Sequence, residues 1–157
     1  MGEKPVQNDF LMIRSASRIC AVPLSNVVET MRPLPARRFA GSPEFVPGVS
    51  IIRGSPTVVV DLGRLLGEPG VSAPRRFVTL RLGDRRIALA VDDVLGVQAL
   101  MDTERQELPP LLANSDARLV QSIGALDSEF LVFLQATRIL PDETWQALVE
   151  REATPCP

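Results

Sequence analysis

Apolar residues along this chain come in short runs broken by glycine, proline or small polar clusters. That pattern predicts strands and turns rather than long amphipathic helices. Phe10 to Arg14 and Arg18 to Val22 flank Ser15-Ala16-Ser17 and predict a hairpin. Pro23-Leu24-Ser25-Asn26 interrupts the pattern, and Val27 to Met31 resumes it as a strand. Pro33 to Pro47 is proline-rich and reads as a long loop, either a functional surface or a solvated crossover between strands. Val49 to Ile52 is a β-branched run suited to a mostly buried strand, Gly54-Ser55-Pro56 reads as a turn, and Thr57 to Val60 as a second apolar strand. Asp61 is placed to cap a short helix carrying Leu62, Leu65 and Leu66, with Gly67 as its stop.

Glu68 to Pro74 is a linker by composition. Beyond it, Phe77 to Leu82 and Arg86 to Val91 form the clearest hairpin, because Val78, Leu80 and Leu82 alternate with Thr79 and Arg81 and Gly83-Asp84 supplies the turn. Val94 to Leu100, Leu119 to Leu126 and Phe130 to Leu134 read as further strands, with a loop at Pro109-Pro110 and a helical turn over Ala136 to Leu140. Asp142 can cap a last helix from Glu143 to about Arg151, with Trp145, Leu148 and Val149 on one face. Residues 1–8 and 153–157 are polar and expected to be flexible, leaving 9–152 as the folded domain.

The chain also aligns with itself. The shift that lays Phe10 on Phe77 also lays Arg14 on Arg81, Arg18 on Arg85, Ala21 on Ala88 and Val27 on Val94. A second shift lays Gly54 on Ser128 and brings Val58, Arg64 and Leu66 onto Val132, Arg138 and Leu140. Either two related β-units follow one another or hydrophobic strands coincide by chance. So many short strands argue for an all-β fold of small closed barrels.

Composition narrows the function. At 157 residues the chain can bury a real core, as one domain or as two small barrels sharing one. A net charge of −2, no tyrosine and no long basic run give no footprint for nucleic acid. No apolar run reaches membrane-spanning length and no secretory start is present, so a cytoplasmic protein is expected. Cys20 lies in an apolar strand and Cys156 in a polar tail, an improbable pair for a disulfide. The absence of histidine removes histidine triads and histidine metal sites and lowers the case for an enzyme. Asp92-Asp93 and the Asp102, Glu104, Glu107 group are the nearest approach to paired carboxylates, and they read as a strand end with its turn and as a solvated loop. No catalytic residue, cofactor or metal site is expected, which leaves a surface that binds other proteins.

The run from Pro47 to Gly67 resembles the Gly-Val-x-Asn-Leu-Arg-Gly…Pro-x-x-Asp-Leu signature of the CheW family, the coupling proteins of bacterial chemosensory arrays. Gly48, Val49, Arg53, Gly54, Asp61, Leu62 and Leu66-Gly67 match it, and Gly41 to Val46 resembles the family's Pro-x-Phe/Trp-Val/Ile segment. Ile51-Ile52 replaces Asn-Leu, which removes a hydrogen-bonding side chain from the turn, and Val59 stands where a proline is common. The resemblance spans about Phe10 to Leu140. It implies two packed, five-stranded SH3-like barrels with short helices and a C-terminal helix, 9–70 contributing mainly to one barrel and 75–140 mainly to the other. It implies a non-enzymatic adaptor between chemoreceptor cytoplasmic tips and the regulatory domain of a CheA-type histidine kinase, monomeric alone and recruited to receptor arrays. By position, Val27, Glu29 and Arg53 fall in the receptor-facing groove, and Gly48 and Val49 in the region of kinase contact. Val27 and Glu29 are two apart and so are expected to share a strand face, with Glu29 and Arg53 pairing across the groove. Taken alone, Val27 reads equally as core, Glu29 as a solvated edge and Arg53 as a solvated strand end. Three rivals stand beside the adaptor: a divergent member that sequesters a kinase or serves another array, a CheW-like domain cut from a larger protein, and a small-ligand-binding barrel. The start at Met1 and the capped last helix favour a complete protein over the second, and the third requires a large polar-lined pocket.

Overall fold

The computed structural model describes residues 7–68, 73–101, 106–107, 120–126, 129–135, 139 and 145–146. The loop at Pro109-Pro110, the Asp102–Glu104 carboxylates, Cys156 and most of the two predicted C-terminal helical segments lie outside them; Trp145-Gln146 is helical.

Among the described residues the strands are β1 (Gln7–Ser15), β2 (Arg18–Pro23), β3 (Val27–Met31), β4 (Gly48–Ile52), β5 (Ser55–Asp61), β6 (Arg76–Leu82), β7 (Arg85–Val91), β8 (Asp93–Met101), β9 (Gln106–Glu107), β10 (Val120–Leu126) and β11 (Glu129–Leu134). A 3-10 turn at Leu24–Asn26 separates β2 from β3, and the short helix α1 (Leu62–Leu65) follows β5. Strand β1 begins at Gln7, inside the stretch expected to be flexible. The Asp61 side chain accepts a hydrogen bond from the Arg64 amide at 3.2 Å, as a cap should, and Gly67 closes the helix with φ +83°.

The strands form a six-stranded sheet in the order β8-β1-β2-β11-β10-β9 and a five-stranded sheet in the order β3-β6-β7-β5-β4. Each sheet joins two antiparallel hairpins through one parallel pair, β2 with β11 and β5 with β7. Each draws on both halves of the chain, so the sheets cut across the expected division near residue 70: β1 and β2 join β8 to β11, while β3 to β5 join β6 and β7.

The internal repeat is real at the level of individual pairs. Val27 lies opposite Leu80, Glu29 opposite Thr79 and Met31 opposite Phe77. Under the first shift these become Val94 opposite Ile13, Gly96 opposite Met12 and Gln98 opposite Phe10, all of which occur. The extra residue in each strand, Val28 or Leu95, is the same bulge. Under the second shift, Val49 opposite Val58 becomes Ile123 opposite Val132, and Ile52 opposite Ser55 becomes Leu126 opposite Glu129. The two units thus exchange strands in blocks: β3 to β5, from the first, join β6 and β7 of the second in one sheet, and β8 to β11, from the second, join β1 and β2 of the first in the other.

Alternation explains three cores. Leu11 and Ile13 of β1, Cys20 and Val22 of β2, Val78 and Leu80 of β6, and Ile87 and Leu89 of β7 share one core between the sheets. The opposite faces hold private cores. Phe10, Met12, Ile19, Ala21, Leu131 and Phe133 line one, with Phe10 and Phe133 edge to face at 5.3 Å. Ile52, Val59, Phe77, Ala88 and Ala90 line the other. Central strands buried on both faces read as continuous apolar runs, which is what β7 and β2 show. Cys20, fully buried in the shared core, has its thiol pKa pushed up to about 12 by that burial, against a smaller opposing pull from Arg18. It is a small hydrophobe rather than a nucleophile.

Candidate functional site

The hairpin turn between β4 and β5 is Arg53-Gly54, one residue earlier than Gly54-Ser55-Pro56 suggests. Both turn residues have positive φ, +49° and +79°. A two-residue hairpin turn of this kind matches the strand twist, and it needs positive φ at both central positions. Proline cannot supply that, so Pro56 falls in β5, opposite Ile51. Arg53 is therefore a turn residue held in a left-handed conformation that L-residues adopt at a cost.

Its side chain ends in a fork. Arg53 Nε donates to Glu29 Oε1 at 2.9 Å and Arg53 Nη2 to Glu29 Oε2 at 2.7 Å. Glu29 is on β3 and Arg53 follows β4, the two opposite edges of the five-stranded sheet. In a flat sheet such edges stand four strand spacings apart, about 19 Å. A direct contact requires the sheet to curl until its edges meet at this mouth. The Arg53 side chain is 76% exposed and that of Glu29 25%. The hydrogen bond from Arg53 is the main cause holding the Glu29 carboxyl below its usual pKa, with the Arg53 and Arg86 charges adding to it against a partial desolvation. Arg53 is correspondingly held above its usual value, mainly by the same hydrogen bond. A solvent-facing fork adds little stability and fixes geometry instead.

Val27 does not share the Glu29 face. The bulge at Val28 shifts the register between them, so Val27 stands opposite Leu80 and packs against the shared core, while Glu29 stands opposite Thr79. Residues two apart share a face only where pleating is regular, and one inserted residue reverses that. Val28, 47% exposed, is the apolar side chain of β3 that meets solvent. Thr79 is a site residue that the pattern missed: its Oγ1 accepts from the Glu29 amide at 3.2 Å and donates to the Glu29 carbonyl at 3.3 Å. The alternation of β6 put a hydroxyl there, but nothing in the sequence pointed to its partner.

Gly48 and Val49 are inside the molecule. Val49 is 7% exposed in the shared core. Gly48 has φ +154°, and a Cβ there would fall on the Arg37 carbonyl of the long loop. Arg37 and Val49 exchange backbone hydrogen bonds at 2.8 and 2.9 Å, so glycine lets the loop seat against β4. Of the substituted signature pair, Ile51 is 62% exposed and Ile52 is buried in the private core. Asp92 and Asp93 serve backbone amides: Asp92 Oδ2 accepts from Ala16 at 2.6 Å and Asp93 Oδ1 from Val94 at 2.9 Å.

Comparison with known proteins agrees with this architecture. The family model described as the CheW-like domain matches residues 9–144. The chemotaxis protein CheW of Klebsiella aerogenes is 25% identical over 155 residues, covering 98% of this chain and 93% of that protein. The crystal structure of the scaffolding protein TtCheW from Thermoanaerobacter tengcongensis superposes with a TM-score of 0.72 at 20% identity, covering 82% of this chain and 89% of that one. Among the described residues no helix is long and apolar enough to cross a membrane. Two sheets that each draw strands from both repeat units, a signature turn forked to β3 and a family match over most of the length lead to one conclusion: the chain belongs to the CheW-like domain family.

Proposed function

We propose that this chain is a non-enzymatic adaptor of bacterial chemosensory signalling that couples chemoreceptor cytoplasmic tips to the regulatory domain of a CheA-type histidine kinase. The observation that carries the reading is the exposed Glu29–Arg53 fork at the curled mouth of the five-stranded sheet, in a chain of this family. The fork presents a fixed guanidinium edge beside the exposed Val28, a combination suited to an amphipathic receptor helix. Glu29 and Arg53 contact the receptor directly. Val27 acts from behind, holding the bulge against the shared core. Gly48 and Val49 act on kinase binding by seating the loop of residues 32–47. The protein is a cytoplasmic monomer until it joins a receptor array, where several weak contacts reinforce one another through effective concentration.

A pull-down with a cognate kinase regulatory domain and a receptor cytoplasmic fragment tests this. Wild type is expected to retain both, and Arg53→Ala to lose the receptor while keeping the kinase. Binding to the kinase alone by wild type would instead indicate a sequestering member, and binding to neither at micromolar concentration would end the adaptor reading.

A further inference from the structure

Strands β6 and β7 set Arg81 directly opposite Arg86, and both side chains are exposed. Like charges in directly opposed positions of a ladder are unfavourable. The fold does not require them: at the equivalent place in the other sheet, the ladder sets Arg14 opposite Ile19. Among the described residues neither guanidinium has an ion-pair partner, including the turn residue Asp84. The Asn26 side chain donates to the Arg81 carbonyl at 3.1 Å, which fixes the strand at this point.

This pair belongs to the candidate site. Arg81 is two residues from Thr79 on a strand whose register with β7 is unbroken, so both face the same way. Thr79 bonds the Glu29 backbone, and the Arg86 charge contributes to holding the Glu29 carboxyl ionised. The Glu29 carboxylate is forked to Arg53, so among the described residues Arg81 and Arg86 extend the mouth as a cationic patch with no ion pair of their own.

We infer that Arg81 and Arg86 are specificity-determining residues that receive two carboxylates, one helical turn apart, from an acidic partner helix. The inference rests on the receptor reading above and names the chemistry of the helix. The spacing fits: opposed side chains in a ladder start about 4.5–5.5 Å apart, and helix residues three or four apart start about 5–6 Å apart. Asp or Glu at i and i+4 can thus meet both guanidiniums at once.

The test uses the full chain, wild type and Arg81→Ser/Arg86→Ser, titrated with the receptor cytoplasmic fragment across a range of salt. The double variant is expected to bind about tenfold more weakly at low salt, with a flatter salt dependence, because two partly exposed ion pairs are lost and screening no longer matters to them. Its melting temperature does not fall, since an unfavourable like-charge pair is removed, and its affinity for the kinase regulatory domain stays unchanged, which separates recognition from folding. An Arg81→Glu/Arg86→Glu chain should recover binding to a fragment whose paired acidic residues are changed to lysine. Unchanged affinity and salt slope in the serine variant would overturn this inference while leaving the adaptor reading intact. Failure of wild type to bind the fragment would overturn both. Equal weakening when the fragment's acidic residues are already removed would also overturn it, by showing that the arginines read some other anion.

Discussion

Strand β3 beside β6 and strand β8 beside β1 are built on the same ladder, bulge included, yet they carry different chemistry. Where β3 has Glu29, forked to Arg53, β8 has Gly96 with φ +118°. Where β3 exposes Val28 and leads to two arginines on the next strands, β8 exposes Leu95 and Val97. Gly48, which admits the long loop, corresponds to Ser122. What the two halves share is the frame: strand exchange, register and the alternation that fills three cores. What only one sheet has is the candidate site, built from Glu29 and Arg53 of the first half and Thr79, Arg81 and Arg86 of the second. Because each sheet takes strands from both units, neither can be completed by one half of the chain alone.

The largest effects should come from breaking the shared frame. Leu89→Ala empties the core between the sheets and should cost about 2–5 kcal/mol, and Phe133→Ala in a private core about 3–5 kcal/mol. Both should melt in a single transition by calorimetry, because the exchanged strands tie the halves together. Two separated transitions would show the halves to be independent.

Next comes the position where the halves differ in backbone. Gly48→Ala forces a side chain against the Arg37 carbonyl at positive φ and should cost about 1–3 kcal/mol by urea unfolding. A neutral result would mean the loop moves away at no cost.

Smaller in stability, but large in binding, is the fork. Arg53→Ala should leave the urea midpoint nearly unchanged and remove receptor binding. Exchanging the charges, Glu29→Arg with Arg53→Glu, should restore the edge-to-edge contact, read as return of the pair's protection in amide exchange, without restoring receptor binding. Parallel loss or parallel recovery of both would place the effect in folding.

The smallest effect is a titration. Because the folded Glu29 carboxyl is held below its usual range, the fork is intact above the ordinary glutamate pKa and is lost as pH falls through the lowered value. Carboxyl NMR of Glu29 should show a midpoint below that of a free glutamate, moving up in Arg53→Ala. An unshifted wild-type midpoint would mean the fork is not populated in solution.

Much of this frame was legible in the chain. Period-two alternation in Phe77 to Leu82 located β6, the Gly83-Asp84 turn located the hairpin, and two offsets revealed the repeat down to individual pairs. The exchange of strands was not legible, because alternation says which face is buried and not which neighbour covers it. The bulge at Val28 was also hidden: Val27-Val28-Glu29 alternates as well as any regular strand, and only the opposing register shows the inserted residue. The Glu29–Arg53 pairing was available from the resemblance, whereas Thr79, Arg81 and Arg86 entered the site only through the pairing of β3, β6 and β7.

The most direct test of the adaptor role is sedimentation of the full chain with kinase regulatory domain and receptor fragment, singly and together. Two binary complexes and one ternary complex are expected, with Arg53→Ala forming only the kinase binary. Mutually exclusive binding, with the receptor fragment displacing the kinase domain, would contradict that role, since a chain that holds one partner at a time cannot couple them.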